Sequence, residues 1–219
     1  MRARCKQCEN HALHLRDVCE EHIDDLESWS AEVLEDVRAN GAHDKNLSGV
    51  EWAALDLTDI NLEFAILIRA NLRECVLRGA NISRAGLSNA DLTNADMTNA
   101  ILQMINARRL KASGACLDGA RLNGATLANA DLSGASLINS ELVGTNLRGA
   151  NLREANLSGA QLLRASFDGS DRTDAILDDG EVDRANENSL SSKKSPPGLG
   201  SVPPSQMDWP DPPEDDATS

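Results

Sequence analysis

The sequence contains no tyrosine, two phenylalanines and three tryptophans, so aromatic residues make up only 2% of its 219 positions. Any core must therefore be built from small and aliphatic side chains, without the large anchors that dominate ordinary domain cores and interfaces. Long apolar runs are missing too. The longest aliphatic stretch, Ala65 to Ile68, falls far short of the roughly 20 residues a membrane-spanning helix needs. The N-terminus carries no apolar leader, and the expected location is cytoplasmic. Lysine is scarce, 5 against 16 arginines, and acids outnumber bases by 35 to 21 for a net charge of −14. Such an excess disfavours nucleic-acid binding by counterion release and suits basic partners or plain solubility. It also fits a high-salt cytoplasm, although a GC-rich genome gives the same arginine bias. Phosphate-loop, dinucleotide and hydrolase motifs do not occur.

What is present is a repeat. From Lys45 onward every fifth residue, beginning at Leu47, is Leu or a substitute, and two places before it sits a small residue such as Ala70, Ala80, Ala120 or Ala150. The phase holds for 27 consecutive five-residue units, over residues 45–179. A period of five matches neither the 3.6-residue helix nor the two-residue strand. Each unit must turn the chain, presenting two residues inward and three outward. Gly at the fifth place, as in Gly79 and Gly134, suits tight corners.

Units such as ADLTN, ANLRE and ANLSG resemble those of the pentapeptide-repeat family, whose A-(D/N)-L-x-x pattern covers about 60% of this chain. The resemblance implies an all-β solenoid, a right-handed quadrilateral β-helix with four units to a square coil. It implies about seven coils, a rod with no obvious pocket. Departures from the pattern read as compensation. Ala107 and Ala112 replace the central Leu, while the preceding inward places enlarge to Ile105 and Leu110, which argues for an uninterrupted coil. Val50, Trp52, Leu55 and Ile60 give the opening units a bulky base. At the other end Arg172 takes a central inward place, so the coil is expected to fray there.

Ahead of the repeat, residues 5–22 read CKQCENHALHLRDVCEEH. Cys5, Cys8, Cys19 and His22 have the ligand types and paired spacing of a closed structural zinc site, resembling small treble-clef or zinc-ribbon-like fingers. A segment this short and polar needs a metal to fold. His11 and His14 are alternatives for the fourth ligand, and an unmetallated leader or a redox C-x-x-C pair are the other readings of this 1–23 module. Ile23, Leu26, Trp29, Val33, Leu34 and Val37 then recur at helical spacing, predicting an amphipathic helix over 24–41 that ends at Asn40-Gly41. Its Trp29 face is expected to cap the first coil, because solenoids need their open ends covered. The alternative is a helix offered to a partner.

Charge is uneven along the chain: residues 1–44 sum to −6, residues 45–178 to −2 and residues 179–219 to −6. Summed over units four apart, one face reaches +4 through Lys45, Arg69, Arg108, Arg109 and Arg148 against Asp168, and the next two sum to −3 and −5. On the fourth face Phe64, Ile101, Met104, Val143 and Leu163 make a discontinuous apolar stripe. Both are candidate contact surfaces, and ordinary surface variation is the alternative. Cys75 falls at a core place and Cys116 at an outward edge. All seven prolines lie between Pro196 and Pro213, so residues 180–219 are expected to be a disordered acidic tail, with Trp209 isolated in it as a candidate docking residue.

These features point to a non-enzymatic protein-interaction scaffold with a structural zinc module, a protein partner and no small-molecule substrate. One family branch, whose acidic rods mimic duplex DNA and occupy DNA gyrase, supplies an alternative. A near-neutral solenoid with a basic face fits that branch poorly. A zinc module reading nucleic acid is the third reading, opposed by its own charge of −6.

Overall fold

The computed structural model describes residues 26–177, within one compact unit. The zinc-module candidates Cys5, Cys8, Cys19 and His22, the tail and Trp209 lie outside the described residues, as do the side chains of Leu26 and Trp29.

The period of five becomes a four-sided coil. Parallel bridges join each unit to the one 20 residues later, from Asn46↔Ile66 to Asn156↔Ile176. Leu67 N–H donates to Gly86 O at 2.7 Å, and Gly86 N–H donates back to Ala65 O at 2.9 Å. Coils therefore stack at the strand spacing, about 4.8 Å. Between the two ends, from Leu57 to Phe167, the central and the small residue of each unit are buried, Leu87 and Ala90 for example at 0% exposure. The aliphatic columns supply the hydrophobic stabilisation that the scarce aromatics do not, at about 1.5–3 kcal/mol per buried Leu. Ile105, Ala107, Leu110 and Ala112 are all buried, so the coil runs through those units without a loop, as their compensating volumes predict.

Except at Leu102–Ile105, each corner is a turn closed by a hydrogen bond from the next unit, such as Ala90 N–H to Leu87 O at 3.0 Å. Every fifth residue from Asp44 to Asp174 has φ between +56° and +71°. That is the third residue of a type II turn, the place where glycine is at ease. Yet many of these corners carry ordinary side chains, including Phe64, Arg69, Glu74, Arg84, Met104, Arg109 and Arg164.

The ends depart from the sequence reading in two ways. The coil starts one unit before Lys45: Ala42 is buried, its N–H donates to Asn61 O at 3.1 Å, and Lys45 N–H closes the turn on Ala42 O at 2.9 Å. The unit Asn40 to Asp44 escapes the sequence pattern because Ala42 replaces Leu beneath the helix. At the far end the expected fraying does not occur. Ala175 N–H closes the turn on Arg172 O at 3.1 Å, and Ile176 still pairs with Asn156. Arg172 is accommodated because its guanidinium lies over the Phe167 ring, 5.4 Å from the centroid.

Helix α1 spans Leu26–Asn40 and stops where Gly41, at φ +71°, donates its N–H to Val37 O at 2.8 Å. Val33, Leu34 and Val37 join the same core as the first coil. Trp52 is buried there and donates its indole N–H to Ser30 O at 2.8 Å, while Ser30 Oγ accepts Glu51 N–H at 3.0 Å. Arg38 donates to Asp56 O at 2.8 Å and Lys45 pairs with Asp36. The helix thus covers the bulky base, through Val33, Leu34 and Val37 among the described side chains. None of the described helices is long and apolar enough to cross a membrane.

Candidate functional site

The register fixes which outward side chains share a surface. The middle of each flat face is the residue before the central Leu, where the bridges form, and its edges are the corner residues of the unit before and of its own unit. Consider the face whose middle column is Asn46, Ile66, Gly86, Asn106, Thr126, Asn146 and Ser166. It is uncharged from end to end and, from Gly86 onward, made of small residues. One edge carries Arg69, Arg108, Arg109 and Arg148, all exposed. The other carries Phe64, Arg84, Met104, Val143, Leu163 and Arg164. The basic side and most of the apolar stripe are therefore opposite edges of one face. Ile101 alone stands apart, in the middle column of the next face, where it is half-buried between Asn81 and Arg121.

Along this edge Met104 is 62% and Leu163 45% exposed. Val143 is half-buried, and Gly124 and Gly144 beside it leave the edge low. Phe64 is half-buried because His43 packs against its ring at 4.7 Å and Arg84 lies over it at 5.3 Å. Carboxylates occur only at the ends of the face, as Asp44 and Glu63 beside α1 and Asp168 at the other end, 3.9 Å from Arg148.

On the other faces of the coil the described arginines are neutralised by carboxylates. Arg73 pairs with Asp91 at 3.5 Å, Arg78 with Asp96 at 2.6 Å, Arg121 with Glu141 at 3.5 Å and Arg153 with Asp171 at 3.4 Å. Among the described residues, Arg84, Arg108, Arg109 and Arg164 have no carboxylate within 4.0 Å, and all four border this one face. Arg84, Arg109 and Arg164, together with Arg69, also occupy left-handed corners, at φ +58°, +56°, +60° and +58°. A non-glycine residue there costs about 1–2 kcal/mol, so four arginines at such corners around one face are an expense in stability.

The sequence reading named Arg69, Arg108, Arg109 and Arg148 but not Arg84 or Arg164. Counting by units assigns those two to the fourth face, whereas the turn puts each unit's fifth residue on a corner shared with the next face. A second unread signal is the spacing of Asp or Asn two places before Ser or Thr. Asp91 Oδ1 accepts Thr93 N–H at 3.1 Å and its hydroxyl at 2.6 Å, and Asp96 holds Thr98 in the same way. Partial burial pushes both carboxyls up, but these hydrogen bonds and the neighbouring cations outweigh it and hold them below the usual carboxylate range. The Asx turns lock each flat face to its corner.

Little on the coil is suited to covalent chemistry. Cys75 is buried with its thiol against Trp52 O at 2.8 Å, and burial pushes its pKa up. Cys116 is half-buried, 3.3 Å from Thr98 Oγ1. Two open grooves flank α1. One, of about 600 Å³, is lined by Arg38, Asp56 and Asp59, and the other, of about 500 Å³, by Glu35, Trp52 and Leu55. No group of three or more metal-ligating side chains occurs among the described residues.

Comparison with known proteins agrees with the geometry. The family model described as pentapeptide repeats matches in 8 copies, over residues 56–94, 85–109, 115–153 and 145–179, more than half of the chain. No curated protein matches. Among solved structures, trypsin-treated QnrB1, described as a plasmid-mediated fluoroquinolone resistance protein, aligns with 67% of this chain and 72% of its own at 22% identity and a TM-score of 0.49. HetL, a pentapeptide-repeat protein of the cyanobacterium Nostoc involved in heterocyst differentiation regulation, aligns with 68% of this chain and 92% of its own at 27% identity and a TM-score of 0.21. A pentapeptide-repeat protein from the Arabidopsis thaliana thylakoid lumen aligns with 58% and 72% at 26% identity and a TM-score of 0.27.

Proposed function

The chain belongs to the pentapeptide-repeat family, and from that premise we propose that it is a non-enzymatic scaffold that binds another protein through a flat face of its right-handed β-helix. One observation carries the reading. Side chains stand in straight columns on the coil, and among the described residues of the coil the arginines without carboxylate partners gather at the edges of a single face while the cations of other faces are neutralised by salt bridges. Such segregation serves recognition rather than folding, which needs only the buried columns.

The test is affinity purification with the full chain, comparing wild type with Thr126→Glu, which puts a charge and bulk in the middle of this face. The scaffold reading expects a specific protein partner for wild type. It fails if no protein is retained above a control resin at any salt concentration.

The N-terminal Cys5, Cys8, Cys19 and His22 are proposed to hold a structural zinc, on the chemistry of three thiolates and an imidazole at paired spacing. The proposal is of a closed site that stabilises the segment, with no position left for a reacting water. As a duplex mimic the coil is poorly suited, since the Asp91, Asp96 and Asp171 carboxylates are already neutralised by neighbouring arginines.

A further inference from the structure

We propose that the arginine-edged face docks an acidic peptide segment of a partner protein, extended along the coil axis, with apolar side chains interspersed among its carboxylates. The inference rests on the scaffold reading and names the partner's chemistry. Arg108 and Arg109 on one edge, and Arg84 and Arg164 on the other, have no described carboxylate partner, and the middle column between them is small and neutral. Guanidinium groups on both sides of a strip suit carboxylates approached from above, because each planar fork can engage two oxygens. The exposed Met104 and Leu163 on one edge call for apolar side chains in the same ligand.

Dimensions select the form of the ligand. Arg84 and Arg164 are four coils apart along their corner, which corresponds to about 19 Å. An extended peptide rises about 3.3 Å per residue, so roughly six residues span them. Nucleic acid fits less well. No outward aromatic on this face's middle column offers a base a stacking platform, and single strands rely on such stacking. A duplex laid across the face would bring its phosphates over Glu51 and Asp131 on the adjoining face.

The experiment titrates the full-length protein into fluorescein-labelled peptides of Asp and Glu with Leu at every fourth place, read by anisotropy at low and moderate salt. Saturable binding is expected, tightening as the peptide lengthens to about six residues and then levelling off. Arg108→Glu with Arg109→Glu should weaken it at least 10-fold, whereas the control Arg73→Glu with Arg153→Glu on the acidic face should not. Replacing Leu by Ser in the peptide should cost several-fold through Met104 and Leu163. Circular dichroism of each variant confirms the coil. The inference is overturned if wild type does not bind the peptides, if both charge reversals act alike, or if an oligothymidylate or a short duplex binds at least as tightly and loses to the same reversal. It is equally overturned if the reversal only dissociates copies of this chain, read by light scattering. A partner retained by the full chain regardless of these substitutions would sink the acidic-peptide inference and leave the scaffold reading standing, whereas a chain that retains no protein defeats that reading itself.

Discussion

Corner glycines offer the sharpest check on how this coil is held together. Gly119 and Gly134 have nearly equal φ, +65° and +63°, but different surroundings. An added Cβ at Gly134 would meet nothing within 4 Å, whereas at Gly119 it would press on Asn99 Oδ1 one coil below. Gly134→Ala therefore isolates the backbone term. A left-handed alanine costs about 1–2 kcal/mol, and the loss of glycine's unfolded-state freedom returns roughly 0.4–1 kcal/mol. The net is a destabilisation of about 1 kcal/mol. Gly119→Ala carries the same term plus displacement of the Asn99 side chain, which adds roughly 0.5–1.5 kcal/mol if a rotamer is forced. Urea denaturation of both variants at unchanged m-value reads the two costs. A Gly134→Ala protein as stable as wild type, or one less stable than Gly119→Ala, would refute the reasoning. The reverse substitution, Glu154→Gly at φ +59°, should be neutral to stabilising.

Further outcomes follow from the same geometry. Leu127→Ala empties a fully buried place in the middle of the coil and should cost about 2–5 kcal/mol in urea melts. Arg172→Leu should stabilise by about 1 kcal/mol, because Leu extends the column above Leu152 without the desolvation that lowers the arginine's pKa. Asp91 and Asp96 have folded pKa values below their ordinary 3.8, so their stabilisation is present above that pH and is lost as the pH falls through the lower folded values. Thr93→Val with Thr98→Val should flatten the urea midpoint's decline as the pH falls below the ordinary carboxyl value of 3.8. Elemental analysis of the purified full chain should give about one zinc per chain, lost in Cys5→Ser with Cys8→Ser.

Much of the fold is legible because the coil is nearly one-dimensional: a unit contacts its neighbours in sequence and the unit 20 residues away, so a phase read from Leu47, Leu57 and Leu62 propagates without error. Volume exchange at Ile105/Ala107 and Leu110/Ala112 could be read for the same reason. The ends were harder. Ala42 lies in a coil unit with no Leu because α1 covers it, and Arg172 is tolerated because the ring of Phe167 lies beneath its guanidinium. Of the candidate face, the letters give the charge of Arg69, Arg108, Arg109 and Arg148. They do not give that a fifth-place residue stands on a corner shared with the next face, which is why Arg84 and Arg164 escape a count by units. That assignment depends on the turn being type II, a fact the positive φ values carry.

The proposed mode of action is the presentation of one face of the coil to a protein partner. Four full-length variants test it directly, each with one outward charge in the middle column of a different face: Thr126→Glu, Asn151→Lys, Ser136→Lys and Asn81→Lys. Quantitative affinity purification with each should show the specific partner lost with Thr126→Glu and retained with the other three. Equal retention by all four variants would contradict the claim.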